Sequence, residues 1–184
     1  MSQQVVFISG SPQNNSRSTR VARAVLDKLE AADVRVRAFG LSEFESSDLV
    51  YGRADSRAAQ HYLEVVRDSA AVIFSTPVYK ATYSGGLKLL VDLIPPEALR
   101  GKTALTVASA RVGRHFQSVQ RAFEDLYRFF DIGFVLQPVF VLDEQLHEAG
   151  GRTAFDDSAQ AAIDRAASTL LSALLTPDHA SLLG

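Results

Sequence analysis

The chain predicts an α/β fold, a five-stranded parallel sheet held between two layers of helices, and three observations carry that expectation. Short apolar runs of β-forming residues alternate along the sequence with segments whose apolar residues recur at helical spacing. Strands and helices in strict alternation imply parallel strands joined by crossover helices, with both faces of the sheet covered. The length of 184 residues suits one such domain with a sizeable core, and is short for the six-stranded version of the architecture.

The elements follow in order. A first strand is expected over residues 5–9, where Val5, Val6, Phe7 and Ile8 run together. Val21, Val25 and Leu29 then recur at helical spacing, and Ser18 or Thr19 can cap that helix. A second strand is expected over 34–39. A second helix carries Ala59, Tyr62, Val65 and Val66 on one face. The third strand covers 71–75, with Pro77 closing its ladder, and a third helix over 86–93 stops at Pro95-Pro96. A fourth strand over 103–108, a fourth helix over 115–130, a fifth strand over 134–142 and a fifth helix over 157–175 complete the pattern. For this length the favoured strand order is 2-1-3-4-5, that of a flavodoxin-like three-layer sandwich. Residues 1–175 are expected to form a single domain, and 176–184 a loose tail whose Leu182-Leu183 could dock on a partner subunit.

Composition narrows the chemistry. A formal net charge of −2 gives no reason to expect nucleic acid or an anionic membrane as partner. No apolar run approaches the roughly 18 residues of a membrane span. The N-terminus enters a strand pattern without a basic segment and apolar signal core, so a cytoplasmic location is expected. The absence of cysteine excludes disulfides, thiolate metal sites and a cysteine nucleophile. His61, His115, His147 and His179 are scattered without metal-ligand spacing, so no metal is expected.

In an open α/β sheet ligands bind beyond the carboxyl ends of the strands, at the point where the strand order reverses. For this order the point lies between strands 1 and 3, and the loops leaving them are residues 9–18 and 76–84. The first reads SGSPQNNSRS. Backbone N–H groups at a helix N-terminus favour an anion. Ser11, Ser16, Ser18 and Thr19 add hydroxyls, and Arg17 adds charge. Neither GxxxxGK[ST] nor GxGxxG is present, so a phosphate monoester fits better than a nucleoside triphosphate or a dinucleotide pyrophosphate. The same residues also suit an ordinary capped turn. The second loop reads TPVYKATYSGG. A planar aromatic ring could lie along its backbone beside Tyr79 and Tyr83; alternatively, both tyrosines pack at a subunit contact.

The run from Pro77 to Lys88 resembles the PVYKAxYSGxLK signature of the NAD(P)H-dependent FMN reductases. Gly10-Ser11-Pro12 with Ser16-Arg17-Ser18 resembles that family's GSPxxxSRS phosphate loop. Tyr51-Gly52-Arg53-Ala54-Asp55-Ser56 and Leu99-Arg100-Gly101-Lys102 match further segments, and the resemblance runs from about residue 4 to about residue 145. It is greatest to the small reductases of two-component alkanesulfonate monooxygenase systems. The resemblance implies a flavodoxin-like homodimer or homotetramer that carries hydride from NADH or NADPH to FMN and supplies reduced flavin to a partner monooxygenase. It places Ser11, Gln13, Ser16, Arg17, Ser18 and Thr19 around the FMN phosphate, and Pro77, Val78 and Tyr79 under the isoalloxazine. Lys80, Ala81, Tyr83 and Ser84 would complete the pocket or touch a neighbouring subunit. No side-chain base is implied, since hydride transfer needs positioning rather than an acid or base.

The chain departs from that family pattern in places. Ser109-Ala110-Arg111 stands where many relatives carry a Gly-Gly pair beside the flavin, so these residues could crowd the ring, weaken its binding, or offer Arg111 to the phosphate of NADPH. Gln13 stands where relatives often carry arginine. In the flavin-releasing branch an inserted residue makes a π-type bulge in the fourth helix, and an ungapped alignment puts Arg121 there, either as an interface residue or as an ordinary solvated arginine. His115 could reach the nicotinamide side of the site or simply cap the helix. Two other outcomes stay open: a reductase of quinones, azo compounds or metal oxyanions that keeps its flavin bound, and a flavin-binding protein with weakened or lost reductase activity.

Overall fold

Strand β1 (Gln4–Ser9) sits inside a parallel sheet, and its alternating side chains feed two separate cores. The structure is a computed structural model in which residues 3–150 and 152–175 are described, so the expected tail lies outside the described residues. Val5 and Phe7 join the core built with helices α1 (Arg17–Glu30) and α6 (Asp157–Leu175). Val6 and Ile8 join the opposite core, under α3 (Arg57–Asp68), α4 (Gly85–Asp92) and α5 (Phe116–Phe129). This alternation follows from the two-residue period of a strand covered on both faces.

On one side β1 pairs with β2 (Arg35–Phe39), and on the other with β3 (Ala71–Tyr79). Next comes β5 (Thr103–Ala110), followed by β6 (Phe134–Val135) and β7 (Val139–Leu142), both parallel to β5. The five parallel positions therefore run 2-1-3-4-5, as the sequence implies. Helix–strand alternation with right-handed crossovers leaves only a handful of orders, and this is the one favoured at this length.

Four local features differ from expectation. The fifth strand is two pieces: Ala104 pairs with Val135, but Val107 pairs with Val139, so one extra residue is accommodated across Leu136, Gln137 and Pro138. Proline lacks the N–H that a continuous ladder would need there, and a bulge absorbs it. Strand β3 runs past Pro77 rather than ending before it, with Pro77 in register with Ser109. Residue 75 faces β1, since its carbonyl accepts from the Gly10 N–H at 2.8 Å, so residue 77 faces the same way, beyond the end of β1. The missing N–H thus faces no neighbouring strand.

Helix α1 is capped by Ser16, not Ser18 or Thr19; its side chain accepts from the Thr19 N–H at 3.2 Å. Helix α5 is α-helical from Phe116 to Phe129 without a π turn, and Arg121 is exposed on it. His115 occupies the N-cap position of α5 but makes no side-chain cap hydrogen bond.

Further elements had no sequence expectation. Helix α2 (Ser46–Val50) brings Leu49 under α4, and β8 (Leu146–Ala149) forms an antiparallel hairpin with β9 (Arg152–Phe155) ahead of α6. No helix among the described residues is long and apolar enough to cross a membrane.

Candidate functional site

The loop between β1 and α1 turns its hydroxyls inward. Ser16 Oγ lies 3.1 Å from Ser18 Oγ and 2.8 Å from Thr19 Oγ1, and Thr19 Oγ1 lies 3.4 Å from Ser9 Oγ. Ser18 is fully buried and its carbonyl accepts from Ser75 Oγ at 3.2 Å, which pins the first turn of α1 to β3. Ser11 is buried and folds the loop on itself: its Oγ donates to the Gln13 carbonyl at 3.0 Å and accepts from the Gln13 N–H at 3.1 Å. Gln13 is exposed. Arg17, the first residue of the helix, reaches outward to Asp143 at 3.4 Å.

The loop after β3 is a tight hairpin. Strand β4 (Thr82–Tyr83) folds back antiparallel, pairing Val78 with Tyr83 and Tyr79 with Thr82. The turn residues Lys80 and Ala81 both have positive φ, 51° and 65°, as a two-residue hairpin turn with the twist of its strands demands. The two tyrosines separate: Tyr83 packs its ring 5.3 Å from Phe123 of α5, whereas Tyr79 is 51% exposed. Tyr79 and Lys80 are left facing outward at the carboxyl edge of the sheet, while Val78, paired with Tyr83, packs partly buried against the α5-side core.

The two loops are stitched together by Ser84, the N-cap of α4. Its Oγ donates to the Gly10 carbonyl at 2.5 Å and accepts from the Leu87 N–H at 3.1 Å, while its own N–H donates to Thr76 Oγ1 at 2.8 Å. With 2% exposure Ser84 acts as a clamp between the two loops, and its hydroxyl proton is committed to Gly10. A Cβ on Gly10 would lie 2.3 Å from Leu87 Cβ, so only glycine lets α4 seat this close to the first loop.

The third expected segment is mostly strand. Ser109 and Ala110 are the last residues of β5 and are buried, and only Arg111 emerges, exposed, at the carboxyl edge. Since Ala108 belongs to the α5-side core and Val107 to the α1-side core, alternation sends Ser109 towards α1 and Ala110 towards α5. Arg114 follows two residues after Val112 in a short 3-10 turn with His115, extending the basic rim.

Sequence reasoning missed Ser9, Ser75, Thr76 and Asp143. The signal for the first three was present: hydroxyl residues at the ends of otherwise apolar buried strands need hydrogen-bond partners. Asp143 had none, because it meets Arg17 only through the fold. The donor set suits a phosphate monoester: four hydroxyls with the first-turn amides of α1, beside a cation, and no carboxylate within the hydroxyl cluster itself. No group of three His, Cys, Asp or Glu among the described residues could hold a metal ion.

Fold and cradle together define a flavodoxin-like α/β protein with an anion loop at the point where its strand order reverses. The chain belongs to the NADPH-dependent FMN reductase family, whose model matches residues 3–147, and it is accordingly an oxidoreductase of FMN and NAD(P)H chemistry. It is similar to an FMN reductase (NADPH) of Escherichia coli K12, 35% identical over 185 residues, covering 98% of this chain and 97% of that one. An FMN reductase (NADPH) of Pseudomonas putida KT2440 is 36% identical over 147 residues, covering 80% and 75% of the two chains. Among solved structures, the apo form of the NADH:FMN oxidoreductase EMOB superposes with a TM-score of 0.81 over 97% of this chain and 92% of that one; at 24% identity this is a likeness of fold.

Proposed function

We propose that the protein transfers hydride from NAD(P)H to FMN and releases the reduced flavin to a separate monooxygenase. The observation that carries this reading is the convergence of the Ser16, Ser18 and Thr19 hydroxyls at the start of α1, next to the β3–β4 hairpin that Ser84 ties to the same loop.

In this reading Ser11, Ser16, Ser18 and Thr19 shape the phosphate cradle and Arg17 supplies its charge. The edge of Pro77, Val78 and Tyr79 supports one face of the ring, and the hairpin turn at Lys80-Ala81 borders it. Bound FMN supplies the ring that accepts the hydride; the protein contributes alignment of the two ligands and exclusion of water. Arg111 and Arg114, exposed where the nicotinamide dinucleotide would approach, favour the extra phosphate of NADPH. Gln13 in place of a cation, and the openness around Tyr79, fit a flavin that exchanges. The protein acts in the cytoplasm, as a homodimer or homotetramer.

The test is direct. Purified protein should oxidise NADPH faster than NADH, and only when FMN is added, with free reduced flavin accumulating anaerobically. Lack of acceleration with either nucleotide would overturn the reading. Oxidation that proceeds on flavin retained through purification would place the protein among the bound-flavin reductases instead.

A further inference from the structure

The two arginines on the first turns of α1 each already have a carboxylate, and neither carboxylate comes from α1. Arg17 pairs with Asp143 at 3.4 Å and Arg20 with Glu148 at 3.3 Å. Positions three apart lie on one helix face, so the segment from Asp143 to Glu148 lies along the same side of α1. The pairs are not equivalent. Glu148 is largely exposed, while Arg20 keeps its Nε buried without a hydrogen-bond partner, so Arg20 is fixed by packing.

Around Arg17 the arrangement is reversed. Its side chain is 54% exposed and Asp143 only 28%, so the arginine is the freer member. Asp143 opens a 3-10 turn, Asp143–Gln145, that leaves the end of β7. Gln145 holds that turn at both ends. Its Oε1 accepts from the Leu142 N–H at 2.8 Å, and its Nε2 donates to Ser158 Oγ at 2.7 Å and Asp156 Oδ2 at 3.2 Å. A carboxylate on an anchored turn thus holds the one cation of the anion loop, Arg17, the residue next in sequence to Ser16.

We propose that Asp143 sets how firmly the loop holds a flavin phosphate, by competing with it for Arg17. This rests on the assignment of the loop to the FMN phosphate. A phosphate dianion entering the cradle must share or displace the existing Arg17–Asp143 ion pair. Asp143 therefore lowers affinity for the phosphorylated flavin alone and leaves the ring's contribution untouched. It is a positioning residue acting through Arg17, and its effect favours exchange of FMN over retention.

The measurement is a parallel titration of the full chain with FMN and with riboflavin, which lacks the phosphate, followed by flavin fluorescence. Asp143→Asn should tighten FMN by about three- to fivefold, the range expected for one partly exposed ion pair, and leave riboflavin unchanged. In an Arg17→Gln background the same substitution should give less than half that gain. Melting temperatures check the fold, and Asp143→Ser gives a second route if the asparagine variant folds poorly. FMN affinity that is unchanged or weaker in Asp143→Asn overturns the proposal, as does an equal gain for riboflavin or a gain undiminished without Arg17. If the unsubstituted protein binds neither flavin, the FMN site itself is wrong and the proposal falls with it.

Discussion

The hydroxyl of Ser84 donates to the carbonyl of Gly10 at 2.5 Å, joining residues 74 positions apart at the base of both candidate binding loops. The same oxygen caps α4 through the Leu87 N–H. Ser84→Ala should therefore leave a buried carbonyl and a helix N–H unpaired together. The expected cost is about 2–3 kcal/mol, combining a lost cap with an unsatisfied buried acceptor. Urea denaturation should show a lower midpoint at unchanged slope. FMN affinity should fall as well, because the loops lose their register.

Adjacent glycines at the start of α4 should behave oppositely. A Cβ on Gly86 would lie 2.7 Å from Leu41 Cδ1 and 2.8 Å from the Gly10 carbonyl oxygen, whereas one on Gly85 meets nothing within 4 Å. Gly85→Ala is expected to raise stability by roughly 0.4–1 kcal/mol, because the unfolded chain loses freedom while the first residue of α4 has room for a Cβ. Gly86→Ala should lower it, since the Gly10 backbone cannot yield. Thermal melts of the two variants side by side decide the matter, and equal effects would refute the contact.

The fold was legible because it depends on patterns that sequence carries directly. Val5 to Ile8 and Ala71 to Phe74 are uniformly buried strands, and such runs separated by helices admit few topologies. The loops at the carboxyl edge were legible for the same reason, since topology places them. What sequence could not supply was the role of each side chain within them. Ser84 reads as a pocket or subunit-contact residue from the family resemblance, and only three-dimensional packing shows its hydroxyl turned towards Gly10. Tyr79 and Tyr83 read alike, yet the strand period sends them to different surroundings. The β8–β9 hairpin was missed because its residues, such as His147, Glu148 and Arg152, lack the apolar alternation that marks a strand; pairs distant in sequence such as Arg17 with Asp143 have no local signature.

A second buried relationship is testable by a mutant cycle. Thr106 on β5 and Tyr127 on α5 place their hydroxyls in contact inside the core, and burial pushes the Tyr127 phenol above its ordinary range, so it stays protonated. Thr106→Val should cost about 1–3 kcal/mol by stranding the tyrosine hydroxyl, although valine suits the strand. Combining it with Tyr127→Phe should recover part of that loss, because both polar groups are then gone. Strict additivity of the two substitutions in denaturation would show that the hydroxyls do not interact.

Asp156 provides a pH-dependent contribution of defined sign. Its carboxylate accepts from the Ala159 N–H at 2.8 Å and from Ser158 Oγ at 2.8 Å, capping α6, and these bonds hold its pKa below the ordinary 3.8. A carboxyl depressed in the folded state stabilises fully once pH exceeds the unfolded value, and the contribution is lost as pH falls through the folded value. The melting temperature of the parent protein should exceed that of Asp156→Ala by a constant amount above about pH 5, with the gap narrowing below pH ~4. Asp156→Asn keeps an acceptor for the Ala159 N–H but carries no titrating charge, so its own gap to Asp156→Ala should not narrow in the same window. A parent gap that stays constant down to pH ~3 would mean that the carboxylate form is not what caps the helix. Asp156 also accepts from Gln145, which holds the turn bearing Asp143. Loss of this carboxylate should therefore loosen the Asp143–Arg17 pair and tighten FMN binding slightly, linking the cap of the last helix to the phosphate loop of the first.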